Sequence, residues 1–340
     1  MNKDGINVLS LFDGCSAAFL ALERAGIKIN NYYSSEIDKS AIAVQNHHYK
    51  GNWRFHQIGD VKNVDIIDYL AIDLVIFGSP CTQLSSINPK DRSGLKGPDS
   101  SLFYEALRIL KELKTFQYDT KKLYFLMENV ASMSKENRNQ ITQELKNIFG
   151  DSVQMFKIDS ALVAPAHRRR LYWTNIPNVS IPKPTGVKFK DILVNGYTDK
   201  EKGNVLLSSN VTLTNGIFRY YKMNLGNIIF KNKEFAELSS KQKLLEYPAI
   251  LKASGHIGKA RSATNEYEYV NNCFRHPSIV EYSRMMTFPD DYIDKVPNVS
   301  RTEKHKILGL SFNVETVTHI LKFLYEEINM NEWDRILKSK

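Results

Sequence analysis

Short apolar, β-rich runs alternate with runs of helical periodicity through the first half of this 340-residue chain. This alternation predicts a doubly wound α/β fold with a mostly parallel sheet, because each strand is followed by a helix that packs on one face of the sheet. One helical run, 101–114, places Phe103 and Leu110 on a common face. The predicted strands are 7–12, 31–36, 74–79, 123–129, 153–158 and 171–175, and the predicted helices are 16–25, 39–47, 101–114 and 136–148.

The character of the sequence changes after Trp173. Three of the eleven prolines fall within residues 176–186, which predicts an extended connector. Order returns where Asn313 is placed to cap a final helix, whose apolar stripe we expect to dock on the sheet of the first domain. The stripe consists of Val317, Ile320, Leu321 and Leu324. The predicted organisation is a first domain over 1–180, a smaller irregular domain over 181–299, and a returning segment over 300–340 that completes the first domain.

Composition narrows the class of protein. The chain is 42% hydrophobic and 24% charged, and it has no apolar run near the roughly 18 residues that span a bilayer. A strand-like run follows the N-terminus within a few residues, so we expect no secretory signal and a cytoplasmic location. The net charge of +9 fits a protein that binds a polyanion, although many basic proteins have no nucleic-acid partner. The three cysteines lack the spacing of a zinc site or a disulfide framework, so we expect no metal.

A glycine turn follows the first predicted strand, in Phe12-Asp13-Gly14. Such a turn lets the backbone approach a ligand at the carboxyl edge of the sheet, and the missing G-x-G-x-x-G pattern disfavours a nicotinamide or flavin cofactor. Glu36 ends the second strand and Asp60 lies in a later loop. Carboxylates at such positions suit the ribose of an adenosine cofactor, and they also serve as ordinary helix caps.

Three further segments carry reactive or charged groups at predicted strand ends. Cys81 follows a proline at the tip of an apolar strand, where a thiol with a lowered pKa acts as a nucleophile. For Cys15 and Cys273 we expect packing or simple exposure. Glu128 ends the next strand, where an acid is costly to bury unless it is paired, protonated or used. The third segment is the arginine run 168–170, which suits a solvated or phosphate-contacting patch, and strand alternation predicts that its first and last members point the same way.

Taken in order, these segments resemble the motifs of the cytosine-5 DNA methyltransferase family. The wording is closest to the de novo branch and its bacterial or phage relatives, and the resemblance covers residues 6–175 and 281–325. Six blocks carry it: FDGCSAAFLALERAG, GSPCTQLS, MENV, HRRRLYW, RMMTFPDDY and LGLSFNVETV. The resemblance implies an S-adenosylmethionine-dependent methyltransferase fold with catalytic residues in 1–180, and a target-recognition domain over 181–299.

The same resemblance implies a mechanism. Cys81 would add to carbon 6 of a cytosine flipped out of duplex DNA, with Glu128 on ring nitrogen 3 and the amine. Arg168 and Arg170 would contact the ring's oxygen 2 and orient the other two groups, and the loop 82–97 would act as a lid. The residues implied to bind S-adenosylmethionine are Phe12, Asp13, Gly14, Glu36, Ile37, Asp60, Val61, Pro80, Leu310, Ser311 and Phe312.

Two positions depart from the family pattern, and two alternatives stay open. Leu310 stands where the family commonly has Asn, which would alter cofactor affinity or selectivity, and Ala166 stands where Gln is common. The chain could instead methylate tRNA, as one branch of the family does, or bind DNA without catalysis. Candidate DNA contacts in the second domain are Lys222, Lys252, Lys259, Arg261 and Arg275, with Gly255 and Gly258 allowing close backbone approach. The expected partner is double-stranded DNA in a bacterial or phage-infected cell, in restriction-modification or a related role, and a monomer is compatible with the sequence.

Overall fold

The fold was determined as a computed structural model that describes residues 5–69, 71–80, 102–117, 122–209, 211–239, 242 and 273–338. Contacts divide the chain into two compact units. The first comprises residues 1–160, 169–183 and 312–340, and the second comprises 161–168 and 184–311. The sequence placed the return to the first domain at residue 300, whereas the contacts place it at 312. The helix that precedes residue 312 begins at Arg301. The Arg301 side chain donates to the Pro277 carbonyl at 3.1 Å, and this bond helps to hold the helix in the second unit.

The first unit is built around a seven-stranded sheet with the order β3-β2-β1-β4-β5-β7-β6. All neighbouring strands are parallel except that β7 runs antiparallel to β5 and β6. The strands are β1 (Ile6–Leu11), β2 (Ile29–Ser35), β3 (Phe55–Gln57), β4 (Leu74–Phe77), β5 (Tyr124–Val130), β6 (Gln154–Asp159) and β7 (Arg169–Thr174). The predicted doubly wound, mostly parallel sheet is therefore confirmed, with β3 as an additional edge strand.

Helices cover both faces of this sheet. On one face, the amphipathic helix α3 buries Phe103, Leu107 and Leu110 against the strands, as its periodicity predicted. On the other face, Phe19 of α1 packs edge-on against Tyr32 of β2, with ring centroids 5.0 Å apart. The helices of this unit that precede the second unit are α1 (Ala17–Arg24), α2 (Lys39–Tyr49), α3 (Leu102–Phe116) and α4 (Lys135–Phe149).

The returning segment adds the last helix of the first unit, α10 (Val314–Lys338). Asn313 caps it as predicted, because its side-chain oxygen accepts from the Thr316 amide at 3.1 Å. All four residues of the predicted stripe are at most 1% exposed. The helix contacts α1, where the Thr318 hydroxyl donates to the Ala21 carbonyl at 3.4 Å, and Tyr124 at the start of β5 donates to Glu327 at 3.1 Å.

The second unit has a small core around a two-stranded antiparallel sheet. Strands β8 (Ile229–Phe230) and β9 (Phe274–Arg275) pair there, and Phe230 and Phe274 pack with Phe235 beside them. Among its described residues the helices are α5 (Leu213–Met223), α6 (Lys233–Glu237), α7 (Ile279–Met285), α8 (Asp290–Asp294) and α9 (Arg301–Leu310). Within the described ranges, no helix has the length and apolar character needed to cross a bilayer.

Candidate active site

The loop after β1 adopts an unusual backbone conformation. Phe12, Gly14 and Ser16 all have positive φ angles, of 55°, 59° and 60°. A positive φ is uncommon for residues other than glycine and is maintained only where the surroundings enforce it. A Cβ built on Gly14 would meet no atom within 4 Å, so the space above this peptide is open. The loop thus presents accessible backbone at the carboxyl edge of the sheet, where the sequence predicted a ligand.

Glu36 holds this loop from the tip of β2. One of its carboxylate oxygens accepts from the Gly14 amide at 2.7 Å, and the other accepts from the Ile37 and Asp38 amides at 2.8 and 2.7 Å. The cap of α2 is Asp38, which accepts from Ser40 and a neighbouring amide, so Glu36 is not that cap. A carboxylate oxygen can accept two hydrogen bonds, and the oxygen that binds the Gly14 amide therefore retains capacity for a ribose diol.

Apolar and acidic groups continue along the same edge. Ile37 is 67% exposed, which is unusual for isoleucine and leaves an apolar surface beside Glu36. Asp60 accepts from the Lys62 amide at 3.0 Å and caps a short 3-10 turn, so for this acid the capping alternative accounts for one oxygen. Val61 is buried in the core and offers a ligand only its backbone.

The Asp13 carboxylate points into the protein. Asp13 is only 5% exposed, and its oxygens accept from the hydroxyls of Ser10 and Tyr32 at 2.5 Å each, among others. Only the backbone of this residue can therefore reach a ligand. The sequence did not reveal this orientation, because an acid in a predicted loop is ordinarily exposed.

The tips of β4 and β5 are joined by Asn129. Its amide group donates to the Ser79 carbonyl and hydroxyl at 3.3 and 3.2 Å, and its oxygen accepts from the Val130 amide at 2.8 Å. Asn129 is 1% exposed, so these bonds are shielded from water. They fix the backbone that leads through the half-buried Pro80 to Cys81. Cys81 and the predicted lid 82–97 lie outside the described residues.

Glu128 forms an ion pair with Arg170. The Arg170 Nε lies 2.8 Å from Glu128 Oε1, and both side chains are nearly buried at 14% and 12% exposure. This oxygen has no aligned hydrogen bond despite its burial, so the contact is a charge pair that leaves acceptor capacity on the carboxylate. Strand pairing brings Glu128 and Arg170 together, because β5 and β7 are antiparallel neighbours. Glu128 lies opposite Tyr172, which is two residues along β7 from Arg170. The ion pair therefore holds the Glu128 carboxyl group in a fixed place at the tip of β5.

Arg168 has different partners from Arg170. It lies in the second unit, is 4% exposed, and its terminal nitrogens donate to the Gly309 and Ser311 carbonyls at 3.2 and 2.6 Å. A cation at the C-terminal end of α9 is favoured by the helix dipole. Strand β7 begins only at Arg169, so the alternation on which the common direction of Arg168 and Arg170 depended does not extend to Arg168.

Residues 310–312, in the block LGLSFNVETV, are three consecutive residues whose side chains have different surroundings. Leu310 is 62% exposed, and the buried Ser311 donates its hydroxyl to the Ile307 carbonyl at 2.7 Å. Phe312 is 8% exposed and lies against Gly78, since a Cβ built on Gly78 would come within 2.9 Å of its ring. The same Cβ would lie 3.5 Å from Glu128 Oε2, so Phe312 and Glu128 both border the tip of β4.

Among the predicted DNA contacts, Arg275 is the one whose side chain the structure describes. Its terminal nitrogens donate to the two carboxylate oxygens of buried Glu281 at 2.7 and 2.8 Å. This bidentate pair holds the second unit together and occupies the guanidinium internally. The side chain of Lys222 and the predicted contacts between residues 252 and 261 lie outside the described part. In the described part, no group of three or more His, Cys, Asp or Glu could hold a metal ion.

The sheet order, with its antiparallel strand beside the outer edge, and the open loop after β1 define the class of S-adenosylmethionine-dependent methyltransferases. Residues 6–326 match the sequence model of the C-5 cytosine-specific DNA methylase family, which covers most of the chain. The chain belongs to this family and is a cytosine-5 methyltransferase, and membership implies S-adenosylmethionine as the methyl donor.

Curated relatives agree with this family, and a solved structure agrees with the fold. The chain is 26% identical to the type II methyltransferase M.FnuDI of Fusobacterium nucleatum over 96% of both chains. It is 35% identical to DNA (cytosine-5)-methyltransferase DRM2 of Oryza sativa over 33% of this chain, a match that spans only 20% of that relative. A DNMT2 mutant of Spodoptera frugiperda shares the fold with a TM-score of 0.64 at 18% identity, covering 94% of this chain and 99% of that one.

Proposed function

We propose that this chain methylates carbon 5 of a flipped-out cytosine in duplex DNA through a covalent Cys81 adduct. The observation that supports this most is the Glu128–Arg170 pair, a nearly buried carboxylate with spare acceptor capacity at the tip of β5. Asn129, the next residue, holds the segment that leads to Cys81. A carboxylate in such a place is suited to the ring nitrogen and amine of cytosine, where charge develops during attack.

The residues at the carboxyl edge fit the cofactor. The open space above Gly14 admits a ligand close to the backbone of Phe12, Asp13 and Gly14. In the proposal Glu36 holds the ribose, and the exposed Ile37 covers one face of the adenine. The remaining members of the proposed set are Asp60 and Val61 at the adenine edge, Pro80 below it, and Leu310, Ser311 and Phe312 toward the methionine end. When bound, S-adenosylmethionine supplies an electrophilic methyl group.

The protein groups have the following roles in the proposed reaction. The Cys81 thiolate forms a bond to carbon 6, and the electron pair of the ring's double bond makes carbon 5 nucleophilic. Glu128 stabilises the charge on the ring, and Arg170, 2.8 Å from Glu128 Oε1, orients Glu128. With the cofactor bound, transfer of its methyl group to carbon 5 would leave S-adenosylhomocysteine, and loss of the carbon 5 proton to water would restore the double bond and expel the Cys81 thiolate. Arg168 would approach oxygen 2 only if its bonds to the Gly309 and Ser311 carbonyls rearranged.

Duplex DNA is the proposed substrate for two reasons. The net charge of +9 favours a polyanion, and M.FnuDI, which matches at full length, is described as a type II methyltransferase. Because carbon 6 is inaccessible in a stacked base pair, the cytosine must leave the helix. The bacterial source of that relative supports the cytoplasm of a bacterial or phage-infected cell as the setting, with a restriction-modification or related role.

Incubation with tritium-labelled cofactor and either duplex DNA or tRNA tests the substrate. Label on DNA alone supports the proposal, label on tRNA alone supports the RNA alternative, and no label supports a silent DNA-binding protein. With S-adenosylmethionine supplied, duplex DNA containing 5-fluorocytosine should leave the wild-type protein covalently attached, because fluorine stands in place of the carbon 5 proton whose loss would expel the thiolate. Cys81→Ala should abolish both the adduct and methyl transfer while cofactor binding stays within a few-fold.

Glu128→Gln tests the carboxylate separately from the nucleophile. It should lower kcat by about 10²- to 10³-fold, since a neutral amide stabilises the charged ring less well. The matched control is Arg169→Ala on the neighbouring residue, whose side chain is 66% exposed and pairs with Asp159 at 3.1 Å. An exposed pair contributes about 0–1 kcal/mol, so the control should retain kcat within about two-fold. Equal losses in the two variants would contradict the assignment.

A further inference from the structure

The buried carboxylate of Asp13 has an unusual set of partners. Five side-chain groups donate to its two oxygens, and all five are uncharged. The donors are the hydroxyls of Ser10, Ser16, Tyr32 and Ser34, at 2.5 to 2.8 Å, and the amide nitrogen of Gln45 at 3.2 Å. Burial raises the pKa of the Asp13 carboxyl, and the hydroxyl bonds lower it in part. A buried acid among uncharged groups is costly, and its hydrogen bonds offset part of that cost.

These donors come from the elements around the loop after β1, residues 12–16, which we call the cofactor loop. Ser10 lies in β1 and Ser16 precedes α1, so the carboxylate joins the two ends of the loop whose residues have positive φ. Tyr32 and Ser34 lie in β2, the strand that ends at Glu36. A single side chain therefore sets the relative positions of two strands, a helix start and the strained turn between them.

Gln45 extends the network to the loop backbone. Its amide nitrogen donates to Asp13, to the Gly14 carbonyl at 2.7 Å and to Ser34 at 2.9 Å, with its two hydrogens shared among the three acceptors. Its oxygen accepts from Gln57 at 2.8 Å, which fixes the orientation of the amide. Since Glu36 binds the Gly14 amide, the Gly14 residue is held at both its N–H and its C=O.

We propose that Asp13 and Gln45 are positioning residues for the cofactor, which hold the Gly14 backbone in the conformation that binds the methyl donor. Their side chains act without touching the ligand, through hydrogen bonds to the loop and to the strands on either side of it. This inference rests on the proposed use of the loop after β1 as the S-adenosylmethionine site. The competing explanation is that the hydrogen bonds around Asp13 contribute only to the stability of the fold.

The chain offers a matched control in Asp73. Asp73 is 4% exposed, close to the 5% of Asp13, and it also accepts from β1, at the Asn7 amide at 2.9 Å. It lies at the opposite, amino end of the strands, away from the cofactor loop. Replacement of either acid removes a buried charge from the same sheet, but only one replacement disturbs the loop.

The test measures the Kd of S-adenosylmethionine and S-adenosylhomocysteine by calorimetry for Asp13→Asn, Gln45→Met and Asp73→Asn, with thermal unfolding of each. Asp13→Asn and Gln45→Met should bind about 10- to 100-fold more weakly, as expected for displacement of a binding group by a fraction of an ångström to 1 Å. Asp73→Asn should stay within about three-fold of wild type even where its Tm falls. At saturating cofactor the kcat of Gln45→Met should approach wild type, because Glu128 and Arg170 are untouched.

The outcomes separate the inference from the proposed function. If Gln45→Met and folded Asp13→Asn bind the cofactor with the same Kd as wild type, the inference is overturned and the proposed function is not. Weakening of equal size in Asp73→Asn also overturns it, since that result indicates a general loss of stability. Absence of binding to the wild-type chain overturns the proposed function, and the inference with it.

Discussion

Gly78 has no room for a side chain. A Cβ at this position would lie 2.9 Å from the ring of buried Phe312 and 3.5 Å from Glu128 Oε2. Gly78→Ala should therefore displace the ring or the tip of β4, with a loss of about 1–3 kcal/mol in the free energy of unfolding. Because the displaced segment leads to Cys81, kcat should also fall, by about 10-fold or more. Urea denaturation and steady-state kinetics measure the two effects.

A second substitution checks the cause of that loss. Phe312→Leu removes the ring atoms that conflict with a Cβ at position 78, so the double variant should recover about 1 kcal/mol relative to the sum of the single variants. Strictly additive losses of stability would show that contact with Phe312 is not responsible.

Individual residues of the site differed in how far the sequence could predict them. The pairing of Glu128 with Arg170 was accessible, because a buried acid at a strand end needs a partner and an arginine motif was present. The orientation of Asp13 and the carbonyl partners of Arg168 were not accessible, because both depend on residues brought together by the fold. The network around Asp13 had one sequence signal, the hydroxyls of Tyr32 and Ser34, which are spaced two apart along a predicted strand.

At the scale of elements, the cap of α10 is open to a direct test. Asn313 accepts from the Thr316 amide and hydroxyl at 3.1 and 2.9 Å and is 1% exposed. Asn313→Ala should lower the free energy of unfolding by about 1 kcal/mol, and by more if the buried Thr316 amide stays unpaired. Asn313→Asp retains the acceptor and should lose less. Thermal unfolding compares the two variants, and an equal loss of stability in both would contradict the prediction.

Most elements of the first unit followed from hydrophobic periodicity, and the differences have local causes. The edge strand β3 was missed because its three residues, Phe55–Gln57, are partly exposed and carry no alternating pattern. The antiparallel direction of β7 was also not predicted, since direction depends on the path of the connection and not on strand composition. The second unit stayed unassigned because its two-residue strands, β8 and β9, are too short to give a period.

At the scale of the whole molecule, the two units should respond differently to acid. In the second unit, burial lowers the pKa of His305 to about 4, with His276 and Arg301 adding to the shift. Burial also lowers the pKa of His276. In the first unit, burial raises the pKa of Asp13, so its ionisation cost decreases as the pH falls through that raised value.

The sign of the histidine effect follows from proton binding. Below pH 6.5, the ordinary value, the unfolded chain takes up protons that buried His305 does not, so the second unit should lose stability as the pH falls from 6.5 toward 4. We expect a loss of about 1–3 kcal/mol from this group. His305→Gln should flatten the dependence, whereas His47→Gln, in α2 of the first unit, is the control in which the second unit keeps its own histidines. Hydrogen exchange of peptides from the second unit, recorded at several pH values, would contradict this if the wild-type slope were already flat.

The contact between α1 and α10 has a consequence for biosynthesis. The Thr318 hydroxyl bonds to Ala21 and Arg24 pairs with Glu315 at 2.8 Å, so α1 is covered by α10, a helix that the ribosome makes much later. At about 5–20 residues per second, the interval between Arg24 and Val314 is on the order of tens of seconds. During that interval the face of α1 that α10 covers in the folded protein stays uncovered on the nascent chain.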